Sequence, residues 1–237
     1  FATRMVNMLK TVITAGTAST PDAWQHILAL ADSTEINAVV LDLKDSSGNV
    51  FYDTQVPLAT EIGSKDVLYD LNATLKDLKD HDIYAIGRIV CFDGASLPKR
   101  EPDRAILDTR PKNAGKPWVS WGTGNTWLNP YNKRNHDLYV EMAKEAEDMG
   151  FDEVQLDYIR FPAQGDTQNA RYAYDRKNEK KVPKHAIITG FLKRAYEELH
   201  PLGVTVSVDV YGIMAWAQPI DVKITGQLLE DMAHYTD

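Results

Sequence analysis

Gly150-Phe151-Asp152-Glu153-Val154-Gln155-Leu156-Asp157-Tyr158-Ile159-Arg160-Phe161-Pro162 alternates apolar with polar residues, ends in a carboxylate and runs at once into an arginine and two aromatics. Successive side chains of a strand point to opposite faces. Val154, Leu156 and Tyr158 therefore share one face, and Glu153, Gln155 and Asp157 share the other. The apolar row suits a helix layer, and the polar row suits a solvated core or a site. In a barrel of alternating strands and helices, a carboxylate at the C-terminal end of a strand is a catalytic candidate before it is a structural one. Asp157 is the first such candidate.

Outward from this strand, the same alternation of elements repeats. Before it, residues 132–149 have helical periodicity with Leu138, Met142 and Ala146 on the core face, and Gly150 stands where a left-handed C-terminal residue belongs. Earlier come an apolar run from Met8 to Ala15 and a helix opened by Thr20 as N-cap and Pro21 at its first position. A strand from Asn37 to Asp45 follows, then a helix carrying Leu71, Leu75 and Leu78, then a strand from Ile83 to Val90. Downstream lie a helix around Ala186 to Leu199, a strand from Val204 to Val210, and a helix from about Thr225 to His234. Two stretches, Cys91 to Asn129 and Ala163 to Pro183, read as long loops of the length used for lids and binding loops.

Alternating β and α elements imply parallel strands with right-handed crossovers. The expectation is an α/β fold, a TIM-type (β/α)8 barrel, in a single domain over residues 1–237 that stops after about five βα units. Eight units close such a barrel, so its C-terminal strands are expected to be missing from this chain; an open sheet is the alternative.

Bulk properties narrow the function. The 237 residues carry a formal net charge of -8, with 43% hydrophobic and 25% charged residues. That balance, without a basic run, argues against a nucleic-acid partner. No stretch approaches the length needed to span a bilayer, so no transmembrane segment is expected. Cys91 is the sole cysteine and the six histidines show no paired ligand spacing, so neither a metal site nor a disulfide framework is expected. Gly-rich phosphate loops are absent and no cofactor is expected. The start at Phe1 suggests that upstream residues have been removed, a signal peptide among the possibilities. An extracellular or cell-envelope location is expected, with the cytoplasm left open.

Three strands end alike: Asp42 with Lys44 and Asp45, Asp157 with Arg160, and Asp209 with Tyr211. Parallel strands bring these ends to one rim, and Arg88 joins them on the alternation Tyr84, Ile86, Arg88. Carboxylates near an arginine acquire separated pKa values, as glycoside hydrolysis requires of its acid and its nucleophile or base. Trp118, Trp121 and Trp127 from the long loop, and Tyr131 just after it, offer flat faces for sugar rings. The bland alternatives are structural ion pairs for Asp157 and Asp209, turn caps for Asp42 and Asp45, and plain packing for the aromatics.

The motifs Glu35-Ile36-Asn37-Ala38-Val39-Val40-Leu41-Asp42-Leu43-Lys44-Asp45-Ser46-Ser47-Gly48, Ile86-Gly87-Arg88-Ile89-Val90, Trp127-Leu128-Asn129-Pro130-Tyr131, Phe151 to Pro162 and Ser207-Val208-Asp209-Val210-Tyr211-Gly212 occur in order. Together they resemble a family of bacterial glycoside hydrolases with a (β/α)8 barrel domain, related by analogy to amylase-like barrels. The resemblance implies a nucleophile at the end of the fourth strand and an acid/base at the end of the fifth, the places of Asp157 and Asp209. Asp42, Lys44, Arg88, Trp127, Tyr131, Gln155, Arg160 and Tyr211 are the expected substrate contacts, with Arg88 and Arg160 orienting carboxylates. The family pattern continues into a strand ending in Met-x-Tyr-Pro, which this chain lacks. A carbohydrate is the expected partner, with self-association through an open barrel edge. The rival reading is a carbohydrate-binding barrel without catalysis.

Overall fold

The computed structural model describes residues 11–14, 17–94, 97–121, 124–172, 182–216 and 218–237. Its strands are β1 (Thr11–Thr14), β2 (Ala38–Lys44), β3 (Tyr84–Val90), β4 (Leu107–Asp108), β5 (Glu153–Asp157), β6 (Ala170–Arg171) and β7 (Thr205–Val208). Five of them form one parallel sheet in the order β1-β2-β3-β5-β7. Each strand lies beside the previous strand of that sheet in the chain, as in a barrel. Among the described residues β1 and β7 do not pair, so the barrel is not closed. The outer portion of the first apolar run, Met8 to Lys10 and Ala15, lies outside the described residues.

The period-2 alternation divides the sheet into two surfaces. Val39, Leu41 and Leu43 of β2, Ala85 and Ile89 of β3, Val154 and Leu156 of β5 and Val206 of β7 are buried in the main core with the helices. On the other surface Ala38, Val40 and Ile86 form a small apolar cluster with Tyr84 packed on it. Glu153 continues that inner surface and accepts from Ser207 Oγ of β7.

The helices are α1 (Pro21–Ser33), α2 (Pro57–Glu61), α3 (Leu71–Asp80), α4 (Leu97–Arg100), α5 (Lys133–Met149), α6 (Lys184–Leu199), α7 (Pro219–Thr225) and α8 (Leu229–Met232). Asn132 caps α5 by accepting from Arg134 N at 3.1 Å, and Gly150 ends it with φ 101°. Thr20 holds the N-cap position of α1, yet its side chain makes no capping bond; Pro21 at N1 supplies the helix-starting φ. The last helix departs from its expected bounds. Gly226 takes φ 78° and breaks the segment, so α7 lies before it and the short α8 after it. No helix among the described residues is long and apolar enough to cross a membrane.

The expected loop from Cys91 to Asn129 is partly ordered into regular structure. It contains α4 and β4, and β4 pairs antiparallel with β6 from the second long loop. Antiparallel bridges Asp93↔Trp127 and Ala105↔Leu128 fold it back across the ends of the sheet strands.

Candidate active site

The inner rows of β2, β3 and β5 end in register. Asp42 pairs with Arg88, Arg88 with Gln155, and Val90 with Asp157. Asp209 follows β7 and donates its backbone N–H to Leu156 O at 3.0 Å. Neighbouring strands are about 5 Å apart, which brings one arginine within reach of three carboxylates. Arg88 Nη1 donates to Asp42 Oδ1 at 2.6 Å, and Arg88 Nη2 donates to Asp157 Oδ2. Arg88 Nε lies 3.9 Å from Asp209 Oδ2, while Gln155 Nε2 donates to Asp209 Oδ1 at 3.3 Å.

The three carboxylates differ in access. The side chains of Asp42, Asp157 and Asp209 are 4%, 15% and 41% exposed. Asp42, expected among the substrate contacts, is sealed behind Arg88 and anchors it. Asp157 and Asp209 open to the cleft. Asp157 Oδ1 also accepts from Tyr158 N at 2.6 Å, and Tyr158 has φ 53°, where the chain turns off the strand. Left-handed backbone at a non-glycine residue is uncommon and concentrates at functional sites.

Electrostatics separates the groups further. Burial disfavours the Arg88 charge, but its bonds to Asp42 and Asp157 outweigh that and raise its pKa. Burial, reinforced by the negative charge of Asp157, pushes Asp209 up to about 6, with Arg88 partly offsetting the rise. Asp209 therefore carries a proton over part of the mildly acidic range, while Asp157 accepts hydrogen bonds from Arg88 and the Tyr158 amide.

Arg160 stands apart from the carboxylates it was expected to orient. Its guanidinium lies over the rings of Trp127, Tyr158 and Tyr211, at 5.0, 4.8 and 4.7 Å from their centroids. Its hydrogen bond goes to its neighbour's carbonyl, Phe161 O, at 3.2 Å. Trp127, itself buried, and Tyr211 thus both lie against one guanidinium. Tyr211 N donates to Gln227 Oε1 at 2.9 Å, and Gln227 Nε2 donates to Asp209 O at 3.3 Å. Gln227, fully buried, ties the two residues after β7 to the segment beyond α7.

Other expected contacts lie elsewhere. Tyr131 packs against Phe161 and Tyr172 and donates to Val182 O at 3.0 Å, within the packed interior rather than beside the carboxylates. Trp118 is buried and donates to Asp166 O, whereas Trp121 is 66% exposed. Lys44 is buried and donates to Val90 O at 2.6 Å and Asp45 O at 3.3 Å; burial lowers it to about 8. It secures the ends of β2 and β3 rather than facing solvent.

Asp93 belongs to the site and was not anticipated. It is 2% exposed, its Oδ2 accepts from Asn125 Nδ2 at 3.4 Å, and its Oδ1 is buried without a partner among the described residues. Burial pushes it up to about 6. Trp127, its partner across the antiparallel bridge, likewise has a buried Nε1 without an acceptor. Asp93 comes three residues after β3 ends, a signal that a strand-end search limited to the last residues overlooks. Among the described residues no group of three His, Cys, Asp or Glu side chains is placed to hold a metal ion. A cavity of about 550 Å³ lies between α3 and α5 by Tyr84 and Asp152, at the N-terminal ends of β3 and β5 and away from this cleft.

A family model described as "Putative glycosyl hydrolase domain" matches residues 11–237. The crystal structure of a hypothetical protein from Ruminiclostridium thermocellum is similar, at 36% identity and TM-score 0.73, covering 86% of this chain and 98% of that one. Flavobacterium johnsoniae chitobiase is similar in fold at 14% identity and TM-score 0.60, with 84% of this chain and 31% of that chain covered. The α-L-fucosidase isoenzyme 2 of Paenibacillus thiaminolyticus gives 13% identity and TM-score 0.57, with 85% and 32% covered. This chain thus spans about a third of the length of those two glycosidases. No curated protein matches the sequence.

Proposed function

We propose that this chain, which belongs to the putative glycosyl hydrolase domain family, cleaves a glycosidic bond of a poly- or oligosaccharide with Asp157 and Asp209. The observation that carries the reading is the division of labour around Arg88. One carboxylate, Asp157, is held by two donors, and its cleft neighbour Asp209 is pushed up to about 6. Two-carboxylate hydrolysis needs such a pair.

In this mechanism the Asp209 carboxyl donates its proton to the glycosidic oxygen as the bond from that oxygen to the anomeric carbon breaks. Asp157 meets the positive charge developing at the anomeric carbon, either bonding to it directly or deprotonating the water that does. Water ends with its oxygen on the anomeric carbon. Its proton goes to Asp209 where Asp157 had bonded to the sugar; where Asp157 was the base, Asp157 takes that proton and releases it to solvent, from which Asp209 is reprotonated. Arg88 fixes the Asp157 carboxylate, Asp42 holds Arg88 from behind, and Gln155 orients Asp209. Arg160 and Tyr211 present partly exposed surface beside the acids, with Trp127 packed behind the guanidinium.

The test is a screen of labelled oligosaccharides with the protein beside its Asp157→Asn and Asp209→Asn variants. Hydrolysis by the parent protein that falls at least a hundredfold in both variants supports the reading. Turnover that survives Asp157→Asn removes it and leaves a binding barrel as the better description.

A further inference from the structure

Arg88 and Arg160 stand in the same cleft with opposite electrostatic situations. Arg88 contacts three carboxylates, two by hydrogen bonds. Arg160 makes no ion pair among the described residues, and one hydrogen bond, to Phe161 O, accounts for one of its five N–H donors. Its planar faces are covered by Trp127, Tyr158 and Tyr211, so the edge of the guanidinium is what remains to a ligand. Arg160 is nonetheless partly exposed, as are Tyr158 and Tyr211. Burial lowers its pKa even though Asp93 and Asp157 act on its charge without contacting it, so a directly pairing anion would offset a cost the protein itself leaves standing.

The surroundings repeat the same incompleteness. Trp127 Nε1, on the ring that Arg160 covers, is a buried donor without an acceptor, and Asp93 Oδ1 across the bridge is a buried oxygen without a partner. Among the described residues, a buried donor on the ring that Arg160 covers and a buried oxygen on the residue bridged to it are thus both without partners. A carboxylate accepts from a guanidinium fork in a planar, two-oxygen arrangement and has oxygen lone pairs left for an indole N–H. A hydroxyl on the adjoining ring carbon completes the set by donating to Asp93. Arg160 directly follows the Asp157-Tyr158-Ile159 turn, and Tyr211 lies two residues after Asp209, so the spot adjoins both proposed catalytic carboxylates.

We propose that Arg160, with Trp127 and Asp93, forms a subsite for the carboxylate of a uronic acid, so that the substrate is an acidic glycan. This rests on the hydrolase reading for the identity of the ligand as a sugar, and on the unpaired guanidinium for its charge. A neutral sugar would leave Arg160 with only the longer-range charges of Asp93 and Asp157 acting on it, whereas a uronate pairs with it directly, in a site whose other arginine already holds two carboxylates by hydrogen bonds.

Saturation-transfer NMR titrations with sodium glucuronate and sodium galacturonate, beside glucose and galactose, test the charge preference without requiring turnover. The expected result is at least tenfold tighter binding of a uronate than of its neutral counterpart, weakening as NaCl rises from 0.05 to 0.5 M. Arg160→Gln is expected to abolish that ratio, Arg160→Lys to retain part of it, and Asp157→Asn to keep it. Neutral sugars binding as well as uronates to the parent protein, a measurement independent of any variant, overturn the proposal. So does a ratio unchanged in a folded Arg160→Gln protein. Hydrolysis of neutral glycans alone, without uronate preference, overturns this subsite and leaves the hydrolase reading standing. Arg160-dependent uronate binding with no hydrolysis upholds the subsite and removes catalysis.

Discussion

Arg88 donates to Asp42 at 2.6 Å across adjacent parallel strands, and the Asp42 side chain is 4% exposed behind it. A buried carboxylate left without its partner costs about 3–5 kcal/mol. Arg88→Gln is therefore expected to lower stability by about 3–5 kcal/mol, read from urea or guanidinium midpoints with unchanged slope. Arg88→Lys should recover part of the loss, because an ammonium can serve one carboxylate but has no fork for two. Equal stability of parent and Arg88→Gln would show that the pair contributes nothing.

Burial and then the charge of Asp157 push Asp209 from an ordinary value of 3.8 up to about 6. As the proton donor, its active form is lost as pH rises, so kcat/KM is expected to fall along a limb centred near pH 6. Asp209→Asn should remove that limb together with about 10²–10⁴ of the rate. The same raised pKa has a consequence for stability. The folded state holds its proton more tightly than the unfolded chain, so ionising Asp209 between about pH 4 and 6 weakens the fold. Asp209→Asn should accordingly raise the melting temperature at pH 7 and leave it nearly unchanged at pH 4. Its 41% exposure keeps the gain small.

Gly226 separates α7 from the following segment with φ 78°, and a Cβ there would lie 3.0 Å from Ile188 Cγ1, 3.0 Å from Phe161 Cδ2 and 3.1 Å from Lys184 O. Gly203 has φ 98° with nothing within 4 Å. Gly203→Ala is expected to cost about 1–2 kcal/mol for the backbone conformation alone. Gly226→Ala should cost about 1–3 kcal/mol more, because the α6 backbone must shift. Denaturant melts of the two variants measure the difference, and identical losses would refute the packing contribution.

Glu145 accepts from Tyr52 Oη at 2.6 Å, Thr54 Oγ1 at 2.5 Å and Gln55 N at 2.5 Å, tying α5 to the segment after β2. Tyr52 is fully buried, so removing its acceptor leaves an orphaned hydroxyl. Glu145→Ala is expected to destabilise by about 2–4 kcal/mol, and protease cleavage in residues 51–56 should accelerate. A loss below 0.5 kcal/mol, the range of ordinary surface substitutions, would contradict this role.

The strand–helix order was legible because apolar spacing is a local property. The row Glu153, Gln155, Asp157 and the row Val154, Leu156 separate onto two surfaces as period 2 requires. The expected C-terminal helix differs from the structure at Gly226, whose left-handed backbone ends α7, and the tight packing that leaves no room for a Cβ beside Phe161 and Ile188 is not visible in the residue order. The aromatics were the least legible part. Trp127, Tyr131 and Trp118 are alike as letters, yet one covers a guanidinium, one packs on Phe161 and Tyr172, and one is sealed beneath the second loop.

Residue order was enough to place Asp42, Arg88, Asp157 and Asp209 at one rim, since parallel strands share a direction and side-chain alternation fixes the face. It did not distinguish among them, because access and charge are properties of the surroundings. Folding buries Asp42, opens Asp157 and Asp209 to the cleft, and raises the Asp209 pKa through burial beside a second carboxylate. It also sets Arg160 against the rings of residues 127, 158 and 211 rather than in an ion pair with those acids. Tyr158 is two residues from Arg160, but Trp127 and Tyr211 are 33 and 51 residues away, and only the packed chain brings them together.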